Sequence, residues 1–254
     1  MLGRRPFVAV TLPVDAVEYG KGLAADVVGR RLGVLFGLLL IAAQLVGCGH
    51  GASPVVVQIG DTAITKAAVN RWTAIEAAVT YDPNPRKPVP KGAIPDPPGY
   101  EGCIAYSRTT STAGGKLRTT QLRRECRNQY SVLQHQILEI LITTNWLTTE
   151  GARVGIRVTD AEARRVLHEK FKTKAAVQRF LTFTGEKEDD EVFLLKRTML
   201  ADRMAASFRG QGRSSAQAEK AQIAFFTQLV KKWTAKTSCR AGYVVSQCRQ
   251  YDAK

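Results

Sequence analysis

The chain has 254 residues, 44% of them hydrophobic, and 37 Lys and Arg against 22 Asp and Glu give it a net charge of +15. That length suits one domain or two small ones with enough apolar chain to bury a core. The positive charge admits nucleic acid, an anionic membrane surface or an anionic cell-wall polymer as partners, and the absence of RNP, zinc-finger and helix-turn-helix patterns argues against the first.

Met1–Asp26 carries Asp15, Glu18 and Asp26, which do not suit a basic export leader, and a start at Val27 or Val28 would give a compact signal. Arg30-Arg31 then form a positive n-region, and Leu32–Gly47 is an apolar stretch of signal length. Its sixteen uncharged residues include three glycines and Gln44, short of the roughly 20 needed to span a bilayer. Leu45-Val46-Gly47-Cys48 matches a lipobox. The segment resembles the signals of bacterial lipoproteins, and the resemblance implies that Cys48 receives a diacylglyceryl group on sulfur and becomes the mature N-terminus. The expected protein is extracytoplasmic and lipid-anchored to the cell membrane. Removing residues 1–47 takes away five Lys and Arg and three Asp and Glu, leaving 32 basic and 19 acidic residues, a net charge of +13.

With Cys48 assigned to lipid, the five cysteines reduce to four: Cys103, Cys126, Cys239 and Cys248. Four allow three connectivities. The local one, Cys103–Cys126 with Cys239–Cys248, is favoured in an oxidising compartment. A metal site is the rival, but there is no Cys-x-x-Cys pair and His50, His135 and His168 are scattered.

Residues 48–53 read as a tether. Val55–Ile59, Gly60-Asp61 and Thr62–Ile64 read as a β-hairpin, and Thr65 caps a helix over 66–80 with Val69, Trp72, Ile75 and Val79 on one face. Pro83–Pro98 holds seven of the ten prolines, which excludes helix. The spacing predicts an extended surface loop over 82–116, with Ser107–Gly115 as its Ser/Thr/Gly-rich end. A long helix of roughly 48 Å follows over 119–150. Thr159-Asp-Ala-Glu162 is a capping box, Thr173 caps a short helix, and the acidic run Glu186–Glu191 precedes a helix over 192–208, where it suits the positive dipole end. The last helix, over 216–236, carries Ile223, Phe226, Leu229, Val230 and Trp233, predicted to pack back on the long helix and the hairpin. Residues 239–254 form a disulfide-clasped tail.

Three stretches in this order, Ile59-Gly-Asp-Thr-Ala-Ile-Thr-Lys66, Gly155-Ile-Arg-Val-Thr-Asp-Ala-Glu162 and Phe180-Leu-Thr-Phe-Thr-Gly185, resemble the SurA-type N-terminal chaperone domain of PrsA-like extracytoplasmic foldase lipoproteins. The resemblance covers roughly residues 54–80 and 117–208. It implies a mainly α fold over 54–238: a multi-helix chaperone domain with a small N-terminal β-hairpin and a returning C-terminal helix. It also implies partners among unfolded or nascent exported proteins, with Trp72, Tyr130, Trp146, Phe180, Phe183 and Phe226 as candidates to line an apolar client groove. The parvulin isomerase domain of those foldases has no counterpart, since only a short Gly/Ser-rich break separates Phe208 from the last helix and no histidine lies beyond His168. No nucleophile elbow, Walker loop or dinucleotide fingerprint is present. No catalytic residue, metal or cofactor is therefore expected, and the sequence leans against an enzyme. The first alternative is a basic surface adaptor for an anionic wall polymer or membrane partner. The second is a peptidyl-prolyl isomerase acting through an unrecognised site.

Overall fold

A short apolar run starts the fold: Val55–Ile59 (β1) and Thr62–Thr65 (β2) form an antiparallel hairpin in which Val57 faces Ile64 and Ile59 faces Thr62. Gly60, at φ +52°, makes the turn. The computed structural model describes residues 53–81, 89–110, 116–209 and 212–251. These all belong to one compact unit, His50–Lys254; Cys48 and the signal segment lie outside the described residues. The order continues with α1 (Lys66–Tyr81), α2 (Glu101–Thr110), α3 (Thr119–Arg153), α4 (Asp160–Phe171), α5 (Lys174–Thr184), α6 (Glu188–Arg209), α7 (Ser215–Thr234) and β3 (Thr237–Cys239). The protein is mainly α, as its periodicity predicts. Among the described residues no helix is long and apolar enough to cross a membrane.

The thirty-five residues of α3 form a spine on which α1, α2, α6 and α7 pack. Its stripe of Ile137, Leu138, Leu141, Ile142 and Trp146 is buried against Val56 and Val57 of β1, Val69 and Trp72 of α1, Met204 of α6, and Leu229 and Trp233 of α7. The Trp146 indole N–H donates to Thr237 Oγ1 at 3.0 Å, and that hydroxyl donates to the Trp233 carbonyl at 2.8 Å. This chain of bonds ties α3, α7 and β3 together in the interior. Nearby, the buried Glu150 carboxylate accepts from Lys232 Nζ at 2.7 Å, Arg153 Nε at 2.6 Å and Trp233 Nε1 at 3.2 Å. Burial alone would raise its pKa, and these three hydrogen bonds more than offset that, so it titrates below the usual carboxylate range.

Local capping holds where the sequence places it. Thr159 and Glu162 form the reciprocal box of α4, the Thr173 hydroxyl accepts from Ala176 N, and Gly185 ends α5 at φ +74°. The cysteine pairs are Cys103–Cys126 and Cys239–Cys248, with Cα atoms 6.1 and 5.8 Å apart.

Several expectations need correction. The sheet has three strands in the order β2-β1-β3, because Thr237–Cys239 pairs antiparallel with Val57–Ile59, so the C-terminal tail begins inside the sheet. The expected loop over 82–116 contains α2. Asp96 accepts from the backbone N–H groups of Gly102 and Cys103 at 2.9 and 3.0 Å, supplying the cap that the helix needs, while Ile104 buries against Leu122. α6 starts at Glu188, four residues early, because Asp190 accepts from Lys187 N at 2.7 Å and closes the first turn. The stripe of α7 is only half covered. Leu229 and Trp233 are buried and Phe226 is half-buried, but Ile223 is 57% and Val230 38% exposed. These last two stand seven residues apart on the outer side of the helix.

Candidate functional site

Between α1, the proline-rich segment and Tyr130 of α3 lies an apolar-walled cleft of about 130 Å³. Its floor is the polar-to-small face of α1, Asn70, Thr73, Ala74 and Ala77; one wall is Ile94, Pro95 and Pro97, and Tyr130 of α3 closes the rim. The Tyr130 hydroxyl donates to Asn70 Oδ1 at 3.0 Å, and Thr73 Oγ1 is satisfied by the Val69 carbonyl at 2.8 Å. The lining is therefore mostly apolar, with Asn70 Oδ1, the Tyr130 hydroxyl and the Thr73 hydroxyl paired. Such a site takes an apolar group by burial of surface and has no residue set for bond-making chemistry.

The proline-rich wall is held from several sides. The disulfide joins α2 to α3, and Tyr100, Ile104 and Leu122 bury around it with Tyr130 packed against them. Arg123 Nε donates to the Gly99 carbonyl at 3.2 Å. At Gly92, with φ +84°, a β-carbon would lie 2.1 Å from the Gly102 carbonyl oxygen, so only glycine lets the segment approach α2 this closely. Pro95 is buried. The described part of the segment is thus packed against α2 and the cleft, its far end pinned through Cys103.

The predicted client residues are dispersed. Trp72 sits in the main core with its ring 5.4 Å from Phe193, and Trp146 is 1% exposed beneath β3. Phe180 and Phe183 are half-buried on α5, Phe180 stacking at 5.2 Å on Phe171 in a separate small cluster with Leu167, Val177 and Leu181. Phe226 lies half-buried on α7, its ring 5.5 Å from that of Phe225. Of the six, Tyr130 alone lines the cleft. Sequence reasoning missed Asn70, Ala74, Ala77 and the Ile94–Pro97 wall. A signal existed in the small residues Ala74, Ala77 and Ala78 on α1, which leave room for something to approach the helix beside its Val69-Trp72-Ile75 face.

Among the described residues no group of three or more His, Cys, Asp or Glu is placed to hold a metal ion. Comparison of the chain with protein-family models, with curated proteins and with solved structures finds no match.

Proposed function

We propose that the protein is a lipid-anchored extracytoplasmic chaperone of the SurA N-terminal type that holds apolar segments of unfolded exported polypeptides and acts without an isomerase domain. The observation that carries this reading is the cleft between α1, α3 and the proline-rich wall, whose lining is mostly apolar and whose Tyr130 and Thr73 hydroxyls are already hydrogen-bonded. Its volume equals about four waters at the liquid's share of about 30 Å³ each, the size of one medium apolar side chain. Such a site binds by side-chain type and tolerates many sequences, as a holdase must.

The test is suppression of aggregation of a reduced, unfolded client by the purified protein. Ala74→Trp should fill the cleft and abolish suppression, while Ala216→Trp, on an exposed position of α7, should leave it intact. Suppression should persist at high salt, where screening removes charge-driven adhesion. Full activity of Ala74→Trp, or activity that salt abolishes, would reject the reading.

A further inference from the structure

We propose that the cleft selects apolar client segments flanked by acidic residues, through Arg124 and Arg127 of α3 beside its Tyr130 rim. The inference rests on the reading of the cleft as a client site and names the chemistry of the client.

Helix spacing sets the juxtaposition. Arg127 stands one turn before Tyr130 on α3, and Arg123 one turn before Arg127, so the three follow one side of the helix. Cys126 fixes which side that is. It is 1% exposed and bonded to Cys103, with Leu122 buried one turn before it, so α2 covers that flank and leaves Arg124 and Arg127 exposed. Arg123 is half-buried and belongs to the wall, its Nε donating to the Gly99 carbonyl two residues beyond Pro97. The exposed cations thus begin where the apolar lining ends.

Charge complementarity selects the client. Between Glu101 and Glu139 the chain holds six Lys and Arg and one acid, Glu125, which is two positions from Arg127 and so does not share its side of the helix. The nine ion pairs of the described residues all lie elsewhere, and none includes Arg124 or Arg127. Asp96, inside the wall, accepts from the Gly102 and Cys103 N–H groups. Glu101 lies against Gly99, the residue that Arg123 bonds.

An extended client advances about 3.3–3.6 Å per residue, and side chains one turn apart on a helix stand about 5–6 Å apart. A carboxylate two or three residues from the apolar side chain in the cleft therefore reaches Arg127, and one further out reaches Arg124. The guanidinium fork matches a carboxylate with two parallel hydrogen bonds. A bare polyanion has no apolar group for the adjoining cleft, whereas an acidic peptide fills both.

The test measures binding of labelled peptides to the purified protein by fluorescence anisotropy. The peptides share one leucine- and valine-rich core and are flanked by aspartate and glutamate, by serine, or by lysine. At low salt the acidic peptide should bind about fivefold more tightly than the serine peptide and the lysine peptide more weakly than either, and the differences should shrink as salt rises. Arg124→Gln with Arg127→Gln should bring the acidic peptide down to the affinity of the serine peptide. The matched variant Lys174→Gln with Arg179→Gln, on exposed positions of α5, should keep the preference. Equal loss of preference in the matched variant would mean diffuse charge and overturn the proposal. So would loss of both the acidic and the serine peptide in the α3 variant, which would place the arginines in the fold of the cleft. Polyphosphate that binds through the same arginines more tightly than the acidic peptide would assign them to a polymer, with the same result. Ala74→Trp separates the two readings: if the serine peptide binds it as it binds the parent, the cleft is not the client site, whereas loss of that peptide with no acidic preference in the parent rejects the selection alone.

Discussion

At the junction of α5 and α6, two neighbouring carboxyl groups, Asp190 and Glu186, are pushed in opposite directions by their surroundings. Asp190 is buried, which would raise its pKa, but Arg71 Nη1 donates to its Oδ1 at 2.7 Å and Lys187 N donates to Oδ2 at 2.7 Å. The net effect holds it below the usual range. Glu186 has no such cation in hydrogen-bond contact. Burial first, then the adjacent Glu191 and Asp190 carboxylates, push it up to about 8, and one of its oxygens is buried without a hydrogen-bond partner. A carboxyl raised in the folded state binds its proton more tightly than in the unfolded chain, so stability should fall as pH rises from about 4.5 to about 8 and level off above. At about 1.4 kcal/mol per pKa unit the loss is roughly 3–5 kcal/mol. Glu186→Gln mimics the protonated form and should flatten that slope, leaving the variant more stable than the parent at alkaline pH. Urea unfolding across the range checks this, and parallel slopes for the two proteins would refute it. The acid side runs the other way. Glu162, brought down to about 2 by the backbone hydrogen bond from Thr159 and then by Arg203, contributes stability that is present above its unfolded value and lost as pH falls toward 2.

At the scale of elements, α2 and the proline-rich wall form the part of the fold most dependent on a covalent link. The small cluster of Tyr100, Cys103, Ile104, Leu122 and Cys126 is separate from the main core, and α2 is only ten residues long, too short to persist unaided. On the chain-entropy account the Cys103–Cys126 loop, with a separation of 23 residues, contributes about 3.5 kcal/mol. Cys103→Ser with Cys126→Ser should therefore release α2 and the wall without melting α3, whose stripe is held by the main core. Hydrogen exchange should rise over residues 89–110 and stay slow over 133–147, and client binding at the cleft should fall with it. Fast exchange through both regions would show that the wall and the spine unfold as one.

Within the described unit, α7 and β3 close the core. β3 adds the third strand to β1, and Leu229 and Trp233 of α7 fill the core beneath it. Burying those two side chains contributes on the order of 3–6 kcal/mol, comparable with the net stability of a domain, and cutting them away also removes Thr237, the partner of the Trp146 indole. Truncation to residues 48–213 should abolish cooperative melting or cause aggregation. A truncated chain that stays monomeric and melts at the full-length temperature would make α7 and β3 an appendage. The exposed Ile223 and Val230 predict the converse for their own positions: neither contributes to this closure.

Sequence alone determined the parts of this protein whose causes lie within a few residues. The periodicity of Leu122 to Leu141 gives α3, the hydroxyls of Thr159 and Thr173 start α4 and α5, and Cys103, Cys126, Cys239 and Cys248 pair with their neighbours in the chain. Tertiary structure decided what depends on residues distant in the chain. Trp146 is a core residue because its indole meets Thr237, 91 positions away, and Arg71 meets Asp190 across 119 positions. The same holds for β3, for the packing of Pro95, and for which half of the α7 stripe is covered. A helix pattern records that a face is apolar, but not which neighbour arrives to cover it. The cleft follows the same logic, since a space between α1, α3 and a proline-rich wall exists only once all three are placed.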